Sequence, residues 1–295
     1  MGFAYRKKRS KGDPSLIFLA VAGYADALYR DNVSATNFTQ TYAGTNRKRI
    51  NSSGLLEAVA ANTPVIDHIG ASLEPYIRLE PAAANLLFGS NNFSVAGGWT
   101  LSNATTAQNA VGPSGAANEA WTVTDASAVA LGNLIKSISK STSDSTTNFM
   151  ISLEVKRTVG ATTFPCLEVI FAGVSAKYAG FILNTNTGVA TARTGNDSAN
   201  IGSVVKSTPW GYIVSVYTTD NGANNQATFR FYPSFNADGG GGSDVTLLGS
   251  CVIANGMLTT SAIPFSYFAG AAAIGPELVT DGGFAAIVDN VGELS

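Results

Sequence analysis

The sequence predicts an all-β chain folded as an antiparallel β-sandwich, and three observations carry that expectation. Apolar residues alternate with polar ones across Phe149, Ile151, Leu153 and Val155, across Trp210, Tyr212, Val214 and Val216, and across Ala227, Phe229 and Phe231. A period of two turns one sheet face toward a core and the other toward polar surroundings. Turn signals separate these runs: NTNTG at residues 184–188, GND at 195–197, DNG at 220–222, and Asp238 followed by four glycines. Beyond the first 40 residues there is almost no helical periodicity, which excludes an α/β architecture.

From the N-terminus onward, the first element is a basic and then apolar arm, residues 1–40. Residues 1–50 hold nine of the 18 Lys and Arg but three of the 20 acids, so this segment is about +6 and the remainder about −8. The cluster Arg6, Lys7, Lys8, Arg9 and Lys11 is suited to an acidic protein surface or to nucleic acid, whereas the acidic body repels phosphate. Behind it, Leu16, Ile17, Phe18 and Leu19 open an apolar run. Asp13 as N-cap and Pro14 in the first turn predict a short helix over residues 14–29, with an extended arm as the alternative. Basic residues before Leu16 imitate an export signal, but Asp13-Pro14 interrupts the junction and the apolar run is short. The segment therefore reads as an attachment arm that buries its apolar face against another subunit.

Residues 41–76 form a turn-rich preamble, with a hairpin expected from Arg47–Ile50 through Ser52-Ser53-Gly54 into Leu55–Val59. Residues 77–295 form the sandwich. No stretch approaches the roughly 20 apolar residues of a membrane-spanning helix, so no membrane insertion is expected. No short repeat marks a fibre shaft. Charged residues make up 13% of the chain, about half the usual fraction, and a surface poor in charge loses little hydration when packed between subunits. Cys166 and Cys251 both sit among apolar residues and are expected as buried free thiols, which agrees with folding in a reducing cytoplasm.

One stretch adds context. Residues 77–99, IRLEPAAANLLFGSNNFSVAGGW, together with the preceding INSSGLLEAVAANTPVIDH of residues 50–68, resemble the opening of a concanavalin A-like, carbohydrate-binding-like jelly-roll module found in phage and prophage virion proteins. The usual Thr before NLL is Ala84 here, and the usual closing SYIPT is replaced by Phe265-Ser266-Tyr267-Phe268. The resemblance implies a jelly-roll sandwich in a virion assembled in the host cytoplasm, a head or tail appendage. It implies other virion proteins (capsid, neck or tail) as partners and a homo-oligomer, with a trimer the expected form.

Chemistry is sparse. His68 is the only histidine, no Gly-x-Ser-x-Gly elbow is present, and one histidine with two separated cysteines cannot complete a zinc site. No catalytic residue, cofactor or metal is expected, with calcium kept as an alternative at Asp220, Asn221 and Asn224 or at Asp238 and Asp244, where Asx turns explain the same residues. Glu154 and Glu168, read as solvent-facing on neighbouring strands, are the one pair that would suit a glycosidase. Sugar rings stack on exposed aromatics, which makes Tyr178, Tyr217, Tyr232 and Phe235 the glycan candidates, while Trp99, Trp121 and Trp210 are assigned to the core. Three functions follow: a non-enzymatic virion structural protein, a receptor-binding protein that reads host glycan, and a secreted polysaccharide-active enzyme.

Overall fold

The computed structural model describes, with side chains, residues 47–60, 67–68, 84–141, 148–260 and 267, and beyond these the backbone of short strands. Its body is a sandwich of two six-stranded antiparallel sheets. Its strands are β1 (Thr100–Ser102), β2 (Ala104–Ala110), β3 (Ala120–Asp125), β4 (Asn133–Ser139), β5 (Asn148–Lys156), β6 (Phe164–Ala172), β7 (Lys177–Leu183), β8 (Ala190–Ala192), β9 (Ala199–Ser207), β10 (Gly211–Thr219), β11 (Gln226–Asn236) and β12 (Ser250–Thr259). Sheet I runs β1-β4-β11-β6-β7-β8 and sheet II runs β2-β3-β12-β5-β10-β9. Consecutive strands mostly cross from one sheet to the other, as in a jelly roll.

The alternating runs face inward as their pattern requires. Phe149, Ile151, Leu153, Val155, Leu167, Val169, Phe171, Tyr212, Val214, Val216, Ala227, Phe229 and Phe231 are all buried in one cluster between the sheets. Trp99 packs on Phe93 and on the edge of Phe229, with ring centroids 5.1 and 5.3 Å apart. Phe149 meets Phe171 edge-on at 5.4 Å.

The motif at residues 85–99 has a structural use. Asn85 Oδ1 accepts the backbone N–H of Leu87 (3.0 Å) and of Leu258 (3.1 Å), and its amide donates to Gly256 O (3.3 Å). The buried asparagine thus fastens this segment to β12, so that Leu87, Phe93 and Trp99 enter the core.

One expectation is settled and one changes. Of the two forms expected for the apolar run, short helix or extended arm, the extended one is found: Leu16–Leu19 pairs antiparallel with Ala27–Arg30, which pairs in turn with Val33–Ser34. Ile17 and Phe18 tolerate either form, and the antiparallel pairing with Ala27–Arg30 decides for the strand. Trp210 lies outside the core cluster; it precedes β10, half-buried, with its Nε1 donating to Val111 O at 2.9 Å. The basic cluster Arg6 to Lys11 lies outside the described residues, as do the side chains of Leu16, Ile17, Phe18 and Leu19.

The preamble contains a hairpin, Lys48–Ile50 with Leu56–Ala58, and it covers part of the outer face of sheet II. A strand from each end of the chain also pairs, Phe38–Tyr42 with Glu277–Asp281. Among the described residues, no helix is long and apolar enough to cross a membrane.

Candidate functional site

The two glutamates are neither neighbours nor solvent-facing, which corrects the sequence reading. Each is on the outer face of its own sheet, and both are buried, Glu154 at 5% exposure on β5 of sheet II and Glu168 at 0% on β6 of sheet I. Strands β5 and β6 are consecutive in sequence, but the chain crosses between sheets after β5. The two carboxylates therefore stand on opposite sides of the core and cannot flank one bond.

Around Glu168 the outer face of sheet I is built in rungs. Register places Ile135, Arg230, Glu168 and Gly180 side by side, with Tyr232, Cys166 and Ile182 on one neighbouring rung and Thr228, Ile170 and Tyr178 on the other. Gly180 makes the arrangement possible. A Cβ there would lie 3.2 Å from Arg193 Cδ and 3.5 Å from Glu168 Cβ, so the bare backbone lets Arg193 lie across the sheet. Asn196 holds this backbone from both sides: its Oδ1 accepts Gly180 N–H at 2.8 Å, and its amide donates to Gly180 O at 3.0 Å.

Arg193 Nη1 donates to Glu168 Oε1. On the other oxygen, Tyr232 OH donates to Oε2 at 3.3 Å, and Arg230 Nη1 lies 3.8 Å from it while donating to Tyr232 OH at 3.2 Å. The Arg193 guanidinium also lies 5.8 Å from the Tyr178 ring centroid and 5.7 Å from that of Phe235, within cation–π range. Glu168 is sealed, whereas the side chains of Arg193 and Arg230 keep 25% and 29% exposure. The Nε of each arginine is buried without an acceptor.

Phe235 reaches this face through an irregularity. Between Phe164 and Cys166 on β6 the pairing with β11 shifts, Cys166 matching Tyr232 and Phe164 matching Asn236. Pro165 and Pro233 fall inside the shift, where a residue without an N–H interrupts the ladder. Phe235 consequently joins Phe164, Cys166, Ile182 and Tyr232 in a second cluster, outside the main core. Beside it, Asn236 donates to Gly240 O (2.6 Å) and Gly242 O (2.7 Å) and accepts Gly239 N–H (3.0 Å), which pins the glycine-rich loop down. Gly239 has φ +72°, a conformation that glycine adopts freely.

Of the aromatic candidates, the structure thus gathers Tyr178, Tyr232 and Phe235 around Arg193, with Tyr178 half-buried and Tyr232 and Phe235 buried. Tyr217 is on β10 of the other sheet, lying across Gly202. Arg193, Arg230 and Glu168 as one group were not recognisable beforehand. The available signal was the pair of prolines, which marks the bulge.

Burial dominates the titration of the remaining groups. The thiols of Cys166 and Cys251 are free, buried and pushed up to about 12. Glu154 is pushed up to about 7, first by burial and further by Glu119 and Asp67, with Asn255 and Lys48 working against the rise. It lines a small recess with Ile50, Leu56, Pro113, Thr208 and Trp210.

At the place weighed for calcium, Lys140 stands beside Asp220: its Nζ is 3.0 Å from Oδ2, and the side chains are 1% and 0% exposed. Asp220 also accepts the N–H of Gly222 and of Asn224 and the Asn224 amide, each at 2.8 Å. At the other place, Asp238 Oδ1 accepts Gly240 N–H and Asp244 Oδ1 accepts Thr246 N–H, ordinary Asx turns. No three His, Cys, Asp or Glu side chains gather as a metal site among the described residues.

No family model matches the chain, and no curated protein matches it. Among solved structures, it is similar to the enzymatically active domain of tailspike protein 4 of bacteriophage CBA120, at 14% identity and TM-score 0.35, over 59% of this chain and 21% of that one. It is also similar to an agarase, AgWH50C, at 11% identity and TM-score 0.35, over 61% of this chain and 26% of the agarase. The chain thus spans about a quarter or less of each of these structures.

Proposed function

We propose that this chain is a non-enzymatic appendage of a bacteriophage particle that holds a host-surface glycan on the outer face of sheet I. The observation that carries this reading is the grouping of a half-exposed Tyr178 ring with two partly exposed guanidinium groups over a sealed carboxylate. A sugar stacks its apolar face on an aromatic ring and gives its hydroxyl oxygens to fixed donors. Arg193 and Arg230 are fixed by Glu168 and Tyr232, so little side-chain entropy is lost on binding. The non-enzymatic reading is supported at one pair: the usual glycosidase holds two carboxyl groups roughly 5–9.5 Å apart on one face, and Glu154 and Glu168 face opposite ways.

Tyr178→Ala is expected to weaken retention on a host-glycan array about three- to tenfold, the loss of one stacking contact of ~0.5–1.5 kcal/mol. Unchanged binding by a folded Tyr178→Ala chain would remove the site.

The virion setting rests on the motif at residues 77–99, and the arm supplies the attachment. Removal of residues 1–35 leaves the Phe38–Tyr42 strand in place and should yield a folded chain that no longer joins particles. Normal incorporation of that truncation would refute the arm's role. The expected oligomer is a homotrimer, so light scattering should return about three times the 30.4 kDa of one chain.

A further inference from the structure

We infer that the glycan is acidic and that Arg193 and Arg230 together read a sugar carboxylate; this deepens the glycan-binding reading and rests on it. At Glu168 itself the cations outnumber the anions, while the acids of the loop beside Phe235, Asp238 and Asp244, are taken up in their own Asx turns. Lys177 is matched by Asp197, 3.5 Å away, but two guanidinium groups share the single carboxylate of Glu168. One positive charge is left over, on a chain whose net charge is −2.

Burial sets how that charge is displayed. Glu168 is sealed beneath the arginines, and only the guanidinium edges meet solvent. A ligand approaching from outside therefore meets cations first, in surroundings made apolar by Tyr232, Phe235 and Cys166, where charge pairs are stronger than in open water. Each guanidinium donates inward through Nη1, to Glu168 or to Tyr232, and an anion at the exposed edges supplies the missing counter-charge.

The Tyr178 ring beside Arg193 selects a sugar ring bearing the anion over a bare polyanion. A uronic acid places one carboxylate next to one apolar ring face, which matches two cationic edges next to one aromatic face.

The experiment is affinity electrophoresis of the full chain in gels containing polygalacturonate, alginate or hyaluronan, each beside its carboxyl-reduced form, with dextran sulfate as a further arm. Retardation by at least one of the acidic polymers, abolished by carboxyl reduction and weakened by salt, is the expected result. R230Q should weaken it about tenfold or more, the equivalent of one charge-assisted hydrogen bond, at an unchanged melting temperature. Should R230Q melt lower, R230K serves instead: it keeps the charge, loses the planar fork and is expected to bind more weakly than the parent.

Equal retardation by an acidic polymer and its reduced form would overturn the carboxylate assignment and leave the glycan-binding reading standing. Retardation by dextran sulfate alone would replace it with general polyanion binding. No retardation by any polymer would sink both readings, and undiminished binding by R230Q or R230K would remove Arg230 from the site.

Discussion

Asp220→Ala should lower the melting temperature by roughly 10 °C. Removing one partner of a fully buried ion pair costs about 3–5 kcal/mol, because the other charge is left without compensation in a poorly polarisable interior, and about 2–4 °C accompanies each kcal/mol in a chain of this size. Lys140 would be the stranded partner, held among the rings of Phe149 and Phe171, each 5.9 Å from its Nζ. The loss also strips acceptors from the N–H groups of Gly222 and Asn224, which shape the turn between β10 and β11.

The pH dependence has a definite sign. Burial by itself would raise the Asp220 carboxyl, but the hydrogen bonds from Gly222, Asn224 and Lys140 outweigh it and hold the group below its ordinary 3.8. A lowered folded value means that the pair stabilises fully above the unfolded aspartate pKa and fades as pH falls through the folded one. The difference between Asp220→Ala and the parent should therefore be constant from pH 5 upward and shrink in strong acid. A variant melting within 2 °C of the parent at pH 7 would show that the pair contributes little.

Glu154→Gln should act in the opposite direction and raise stability at alkaline pH. With its folded value near 7 against an ordinary glutamate near 4.5, Glu154 keeps its proton in the folded chain over a range where the unfolded chain releases it. Its contribution is thus fully present below about 4.5 and is lost as pH rises through about 7, a span worth ~3 kcal/mol. Lys48, Glu119, Asp67 and Tyr267 are the charged or titratable groups that act on it. Denaturant unfolding at pH 5 and pH 8 measures the effect: the parent should lose stability over this interval, and Glu154→Gln should lose about 2.5 kcal/mol less. Parallel behaviour of the two chains would mean that Glu154 ionises freely, in conflict with its burial beneath the Lys48–Ile50 and Leu56–Ala58 hairpin.

Much of the sandwich was legible because alternation is a local property. Phe149 to Val155 and Ala227 to Phe231 declare their inward face within seven residues or fewer, and NTNTG or DNG ends a strand by the backbone conformations those residues favour. Asn85, Leu87, Phe93 and Trp99 were likewise recognisable as a pattern, and each has a fastening or packing use in the fold. The N-terminal arm was harder to read, since LIFL carries no clear period and only pairing with Ala27–Arg30 decides its extended form.

The candidate site was legible only in part. Tyr178, Tyr232 and Phe235 were identifiable as aromatics near turns, but their meeting with Arg193 depends on three distant choices: a bare Gly180, the Pro165 and Pro233 irregularity, and the register of β6 between β7 and β11. Glu154 and Glu168 carry the same lesson. Their strands are consecutive in sequence, but which sheet each joins depends on long-range pairing, and a residue on the polar side of an alternating strand is solvated only if nothing covers that face.

By itself, then, the sequence determined the strand character of this chain, the inward face of its longest strands and the turns between them, because those follow from side-chain period and backbone preference over a few residues. The tertiary structure alone decided which outward-facing charges are sealed, which arginines share a carboxylate, and that the two glutamates stand back to back across the core. These are properties of sheet order and of what lies over each sheet, and residues far apart in the chain set both.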